Sequence, residues 1–171
     1  MVKFLEVRIG DQRVLRLIRR ILKSGVMEDG LMRASEEGTP QGGVLSALLS
    51  NVYLHYVLDL WVQKRVRRQC RGEVYYVRYA DDFVMGFEHR EEAAACLELL
   101  RARFAKFGLK LHKEKTRLIE FGRYAAERRA RRGEGRPETF DFLGFTHQCA
   151  KTRKHGWFTI HRRSIAKRMR A

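Results

Sequence analysis

Apolar residues along this chain follow two different rhythms. Over residues 11–23, Val14, Leu17, Ile18, Ile21 and Leu22 recur at steps of three and four. Arg13, Arg16, Arg19, Arg20 and Lys23 take most of the other positions. The spacing predicts an amphipathic helix, with Asp11 as its N-cap and Gly25 as the stop beyond its end. Met27, Leu31 and Met32 lie among acidic and glycine positions, so residues 26–37 should hold a turn or a short strand. Ser35 to Gly43 is punctuated by glycine and proline and should be a loop. A second helix is expected from Val44 to about Val62, where Leu45, Leu48, Leu49, Val52, Tyr56 and Leu60 repeat at helical spacing. A third should run from Glu91 to Phe107, with Ala93, Leu97, Leu100, Phe104 and Phe107 on one face and Gly108 at its C′ position.

The other rhythm is that of strands. Glu73 to Tyr79 and Phe83 to Phe87 are rich in β-branched and aromatic residues, so Tyr79-Ala80-Asp81-Asp82 should be the tip of a hairpin. Leu109 to Phe121 suggests two short strands around a basic turn. Gly122 to Pro137 is polar and rich in arginine, and predicts a short helix ending in a surface loop. Its arginines are candidates for contacts to a phosphate backbone that ignore sequence. Thr139 to Cys149 regains strand character, and Trp157 to His161 should pair with it across the turn Lys151 to Gly156. Arg162 to Ala171 looks helical and basic. Helices and antiparallel hairpins without internal repeats predict one α+β domain.

Charge narrows the possible partners. The chain of 171 residues carries 36 Lys plus Arg against 20 Asp plus Glu, a formal net charge of +16. No apolar run is long enough to cross a bilayer, and no basic amphipathic anchor stands out, so nucleic acid is a better partner than a membrane. Lys64 to Arg68 is one more basic run, either touching phosphates or solvated. Three widely spaced cysteines without a CxxC pattern point to reduced thiols and a cytoplasmic location. His147, Cys149, His155 and His161 form a loose group, but their spacing matches no standard zinc site and no metal is expected there.

Two stretches carry candidate chemistry. Asp81 and Asp82 are adjacent carboxylates at a tight turn, which repel each other unless a cation lies between them. Mg²⁺ favours one or two carboxylates together with substrate phosphates. Turn chemistry alone would also explain Asp-Asp at a hairpin tip. Pro40-Gln41-Gly42-Gly43 precedes a helix start, where glycines admit a ligand and free N–H groups favour an anion. A plain glycine-rich turn is the competing explanation. Lys113 and Lys115 could reach phosphates or simply be solvated turn lysines.

Taken in order, four segments resemble reverse transcriptases, most closely those encoded in group II introns. They are GTPQGGVLSALLSNVYL from Gly38 to Leu54, RYADDFV from Arg78 to Val84, FGLKLHKEKTRLIEFG from Phe107 to Gly122, and RPETFDFLGFTH from Arg136 to His147. The resemblance implies the antiparallel-sheet palm of a right-hand polymerase, with helices packed on one face. It implies RNA-templated DNA synthesis on a DNA primer from deoxynucleoside triphosphates, with two Mg²⁺ ions, and intron RNA as a further partner. Asp81 and Asp82 would be two of three metal-binding carboxylates, with Tyr79 and Ala80 beside the primer end. Pro40, Gln41 and Gly42 would border the incoming nucleotide and the template. The resemblance implies that Lys115 lies in the segment that protonates the departing pyrophosphate, and Leu143, Gly144 and Phe145 match the primer-gripping turn.

The resemblance also has gaps. The strand bearing the third carboxylate would fall before Met1. Asp11, Asp29 and Asp59 lack a strand around them and are rejected for that role. The expectation is therefore an internal piece of a longer enzyme, incomplete at both ends. Residues 1–147 would be a palm without its first catalytic strand or the fingers. Residues 148–171 would be a basic hairpin and helix leading toward a thumb. Such a piece should be inactive alone. A non-catalytic nucleic-acid-binding remnant or an RNA-splicing assistant are the alternatives.

Overall fold

A computed structural model of the chain describes residues 1–23, 26–28, 31–33 and 44–165. It is an α+β structure of helices and small antiparallel sheets. Helix α1 spans Val2–Glu6 and α2 spans Gln12–Lys23. The Asp11 carboxylate accepts the Arg13 N–H at 2.7 Å, the N-cap expected from sequence. The short strands β1 (Val26–Glu28) and β2 (Leu31–Arg33) pair antiparallel. Gly25, the loop of residues 35–43 and residues 166–171 lie outside the described residues.

The buried face of α2 differs from the expected one. Leu15 is buried, and Ile18 and Leu22 pack beside it against Leu5 of α1 and Leu49. Val14 and Leu17 stay exposed. Apolar residues cover more of this helix than its neighbours can bury, so the contact partners, rather than the apolar pattern alone, select the inner stripe.

The long central helix begins as α3 (Val44–Leu54) and continues through two π-helical stretches, His55–Asp59 and Val62–Val66, into the last turn α4 (Arg67–Gln69). It therefore runs past the expected end at Val62, and the basic run from Lys64 to Arg68 is helical. The π-helical turns close hydrogen bonds over five residues instead of four and so rotate the helix surface. Val57, Leu58, Trp61, Val62 and Val66 become the core positions, and Leu48 is left exposed. Of the positions a uniform helical period selects, Leu49 is buried and Val52 packs beside it, whereas Leu48 is exposed and Tyr56 and Leu60 are only half-buried.

Strands β3 (Val74–Tyr79) and β4 (Asp82–Phe87) form the expected hairpin, with Tyr79 paired to Asp82 and Val74 to Phe87. Alternation puts Val74, Tyr76, Phe83, Met85 and Phe87 on the face against the central helix and α5 (Arg90–Lys106). Tyr75, Val77 and Tyr79 look away from them and are exposed. The helices thus cover one face of the hairpin. Helix α5 contributes Cys96, Leu100 and Phe104 to the core and ends as expected at Gly108, which has φ of 69°. Leu109 N–H donates to the Phe104 carbonyl and Gly108 N–H to that of Ala105, the paired bonds of a Schellman ending. Burial pushes the Cys96 thiol up to about 11, so it stays protonated at neutral pH.

Residues 109–121 form no strands, contrary to the sequence expectation. Leu109 and Leu111 lean on the main core, and the Thr116 N–H donates to the His112 carbonyl across a turn. Among the described residues no neighbouring backbone pairs with the stretch in a ladder. Helix α6 (Ala125–Arg131) follows, then a loop. A three-stranded antiparallel sheet ends the described chain: β5 (Phe140–Phe142), β6 (Phe145–Lys151) and β7 (Phe158–Ser164). Arg162 to Ser164, expected to be helical, belong to β7, held by register to Phe145, Thr146 and His147.

Two substitutions test this packing by urea unfolding. Leu58→Ala, at a position fully shielded from solvent, should cost about 2–5 kcal/mol. Gly108→Ala should cost on the order of 1 kcal/mol, because alanine is strained in the left-handed region.

Candidate active site

The β3–β4 tip is a two-residue turn, Ala80-Asp81, closed by the Tyr79–Asp82 pair. Ala80 adopts φ of 52°, a conformation that costs an L-residue roughly 1–2 kcal/mol. Asp81 and Asp82 are both exposed. Neither side chain has a hydrogen-bond or ion-pair partner among the described residues, so two hard oxygen donors stand free side by side. Asp82 shares its face of the hairpin with Tyr75, Val77 and Tyr79, away from the helices.

Behind the turn lies a network that the sequence did not announce. Arg78 points inward from β3 and forks onto Asp59, with Nε to Oδ1 and Nη2 to Oδ2 both at 2.7 Å. Its remaining nitrogen, Nη1, donates to the Ala80 carbonyl at 2.7 Å and to Asn51 Oδ1 at 2.8 Å. Tyr76 donates its hydroxyl to Asp59 Oδ1 at 2.7 Å, and His55 approaches Oδ2 at 3.3 Å. One guanidinium therefore ties the central helix to the backbone of the carboxylate-bearing turn. The side chains of Arg78 and Asp59 are 11% and 26% exposed, which places the pair between a surface bridge and a buried one.

The electrostatics follow from these contacts. Partial burial pushes the Asp59 carboxyl up, but the bonds from Arg78 and Tyr76 outweigh it and hold its pKa below the ordinary value. The bonds to Asp59 in turn raise the pKa of Arg78 against the opposing effect of burial. Burial, and then the bond to Asp59, raises that of the Tyr76 hydroxyl. Asp59 was rejected as a metal ligand because it lies within a helix. Its oxygens are bonded to Arg78 and Tyr76 and approached by His55.

The π-helical stretch that carries Asp59 has its own support. Arg103 of α5 donates from Nε to the Val57 carbonyl at 2.9 Å and from Nη2 to that of Tyr56 at 3.4 Å. Its guanidinium also lies over the Phe107 ring at 4.6 Å.

The other expected site residues fall as follows. Leu143 and Gly144 form the two-residue turn between β5 and β6, with φ of 50° and 82°, the positive pair a type I′ turn requires. Leu143 and Phe145 are half-exposed and line a shallow apolar hollow with Phe142, His147 and Arg162. Strand β5 comes into contact with β4, so the two hairpins lie side by side. Lys115 is exposed in the turn after Leu111. Pro40, Gln41 and Gly42 lie outside the described residues. Three arginines in and just after α6 are less free than expected: Arg131 pairs with Glu127, Arg129 with Glu134, and Arg132 with both Glu120 and Glu134.

Asp59, Arg78, Tyr76 and Asn51 were missed for a physical reason. They converge from residues 51 to 78, and no local spacing betrays such a meeting. The one available signal was Arg78 itself, a charge on the inward face of an otherwise apolar strand.

Twin carboxylates on a hairpin tip, with helices on the opposite face of the hairpin, make this an α+β chain of the polymerase-palm type. Residues 4–147 match the family described as reverse transcriptase (RNA-dependent DNA polymerase), and the chain belongs to that family. It is 30% identical over 176 residues to Protein YkfC of Escherichia coli (strain K12), a match covering 80% of this chain and 45% of that protein. It is 27% identical over 135 residues to the Group II intron-encoded protein LtrA of Lactococcus lactis subsp. cremoris, covering 73% of this chain and 22% of LtrA. An uncharacterized 91 kDa protein in the cob intron of Schizosaccharomyces pombe is 25% identical over 130 residues, covering 73% of this chain and 16% of that protein. The chain thus spans less than half the length of these curated relatives.

Asp59→Ala should destabilise the protein by about 2–3 kcal/mol at neutral pH, since it leaves a nearly buried guanidinium without its counter-charge. Folding lowers the Asp59 pKa, so this stabilisation is complete above the ordinary carboxylate range and fades only as pH falls below it. Urea unfolding of both proteins across pH checks this: the gap between them should close in strong acid and stay constant from pH 5 to 7.

Proposed function

We propose that this chain is the palm of an RNA-directed DNA polymerase of the group II intron type, acting on an RNA template, a DNA primer and deoxynucleoside triphosphates. The observation that carries the reading is the exposed, unpartnered Asp81–Asp82 pair on a turn whose backbone is held by Arg78. Two free carboxylates suit Mg²⁺, which completes its shell with substrate phosphates and water rather than an all-protein cage. No three His, Cys, Asp or Glu side chains converge among the described residues. A third carboxylate would have to come from outside them.

In this reading Asp81 and Asp82 hold the metal, which when bound supplies Lewis-acid stabilisation of the phosphoryl charge. Tyr79 and Ala80 lie beside the primer end, and Leu143, Gly144 and Phe145 grip the primer strand. Pro40, Gln41 and Gly42 border the nucleotide and template. The primer 3′-hydroxyl gives its proton to solvent water and its oxygen bonds to the α-phosphorus as the bond to pyrophosphate breaks, while Lys115 gives a proton to the departing pyrophosphate. The exposed face of Tyr75, Val77 and Tyr79 leaves room for nucleic acid beside the turn. Residues 1–147 serve as the palm and 148–171 lead toward a thumb. Intron RNA is a further partner. Among the described residues no helix is long and apolar enough to cross a membrane. The net charge of +16 supports a second reading, a nucleic-acid-binding remnant without catalysis.

Primer extension on an RNA template separates the two, run with this chain alone and with a segment supplying a third carboxylate. Synthesis is expected in the second case, and Asp81→Asn should reduce it on the order of a hundredfold or more while nucleic-acid binding holds or tightens slightly. Undiminished synthesis by the variant would exclude the assigned role. Mn²⁺ binding followed by electron paramagnetic resonance gives an independent check, since it should be lost in the same variant.

A further inference from the structure

The tip of the β6–β7 hairpin, residues 151–157, has no part in the site above and carries a strongly basic surface. No Asp or Glu occurs after Asp141, whereas Lys151, Arg153, Lys154, Arg162 and Arg163 all precede Ile165. Lys151, Arg153 and Lys154 are exposed and enter no ion pair among the described residues. Arg129, Arg131 and Arg132, in and just after α6, behave differently, each paired with a nearby glutamate. Uncompensated charge at the hairpin tip calls for an anionic partner.

The tip also carries an aromatic surface. Trp157 is 69% exposed, the highest value among the large apolar residues described. The His155 ring stacks on it with centroids 4.9 Å apart and planes inclined by 28°. Exposing an indole costs free energy unless something covers it.

The turn beneath these rings is firmly built. Thr152 N–H donates to the Trp157 carbonyl at 2.8 Å, and Trp157 N–H donates to the Thr152 hydroxyl at 3.0 Å. Gly156 N–H donates to the Thr152 carbonyl at 3.0 Å, and Gly156 takes φ of 66°, which a side chain would resist. The platform is therefore in place before any ligand arrives, which lowers the ordering cost of binding.

We propose that residues 151–157 form a binding site for single-stranded nucleic acid, in which an unpaired base stacks on Trp157 and flanking phosphates meet Lys151, Arg153 and Lys154. A base within a duplex has both faces covered by its neighbours, so it cannot lie on an indole. Single strands offer free bases and phosphates together, and an aromatic platform flanked by cations matches that combination. Stacking does not read the base, so the site accepts any sequence. The site is independent of the polymerase reading, because nothing in it involves Asp81 or Asp82.

Trp61 and Trp157 are the two tryptophans of the chain, and Trp61 is only 7% exposed in the core. A strand that covers the tip therefore changes chiefly the emission of Trp157, and Trp157→Ala isolates the contribution of Trp61. Short oligouridylate and oligodeoxythymidylate are titrated separately in EDTA, so the result stands whether or not the carboxylates hold magnesium. Anisotropy of labelled strands gives the affinity. Saturable quenching by either strand is expected, and the tighter of the two tells whether RNA or DNA occupies the site. Trp157→Ala should abolish the quenching and weaken binding on the order of tenfold. Arg153→Ala with Lys154→Ala should lower the slope of log affinity against log salt by about 1.4. Far-UV circular dichroism confirms that the variants fold. A blunt duplex should bind through its phosphates with Trp157 emission unchanged. Strand binding that leaves this emission unmoved, quenching by the duplex equal to that by single strands, or unaltered affinity in Trp157→Ala would each overturn the proposal.

Discussion

The carboxylate turn depends on one guanidinium. Arg78 meets the helix through Asp59 and the turn through the carbonyl of Ala80, so one side chain links the helix to the turn directly. Each of its three nitrogens donates at 2.7–2.8 Å. A planar fork with fixed angles transmits orientation as well as attraction, which a lysine ammonium would not do. Adjacent negative charges at the tip add to the demand for a stiff support. With their carboxylates unpartnered, what keeps Asp81 and Asp82 in place is the backbone beneath them.

That support reaches further into the protein. Asp59 faces Arg78 from a π-helical stretch whose carbonyls accept hydrogen bonds from Arg103, and Arg103 itself rests on Phe107 at the end of α5. The core that buries Val57, Leu58 and Trp61 fixes the rotation of the same stretch. Packing and site geometry are therefore one problem here. The wider helical turn brings three apolar residues into the core and directs the intervening carboxylate toward the strand.

Much of this was legible in the chain and some of it was not, for specific reasons. The β3–β4 hairpin, helix α5 with its Gly108 ending, the Asp11 cap and the β6–β7 pairing all follow from local rules, and all appear. The central helix was recognisable, but its buried face was not, because a uniform period cannot anticipate two π-helical turns. Residues 109–121 have strand-like composition, yet a strand also needs a neighbour, and composition says nothing about that. In the site, the tip of Tyr79, Ala80, Asp81 and Asp82 is contiguous and could be read directly. The residues that hold it come from three separate elements and become visible only in space.

Two turns share an uncomfortable feature. Ala80 and Leu143 are the non-glycine residues with positive φ among those described, and each opens a two-residue turn at the end of a hairpin. Asparagine or glycine would relieve that conformation in either place. The chain is thus locally frustrated at two points and well matched to its fold along the flanking strands. A sequence optimised for thermostability alone would be drawn to replace both residues, and would in doing so alter the two tips through which this domain is proposed to meet its substrates.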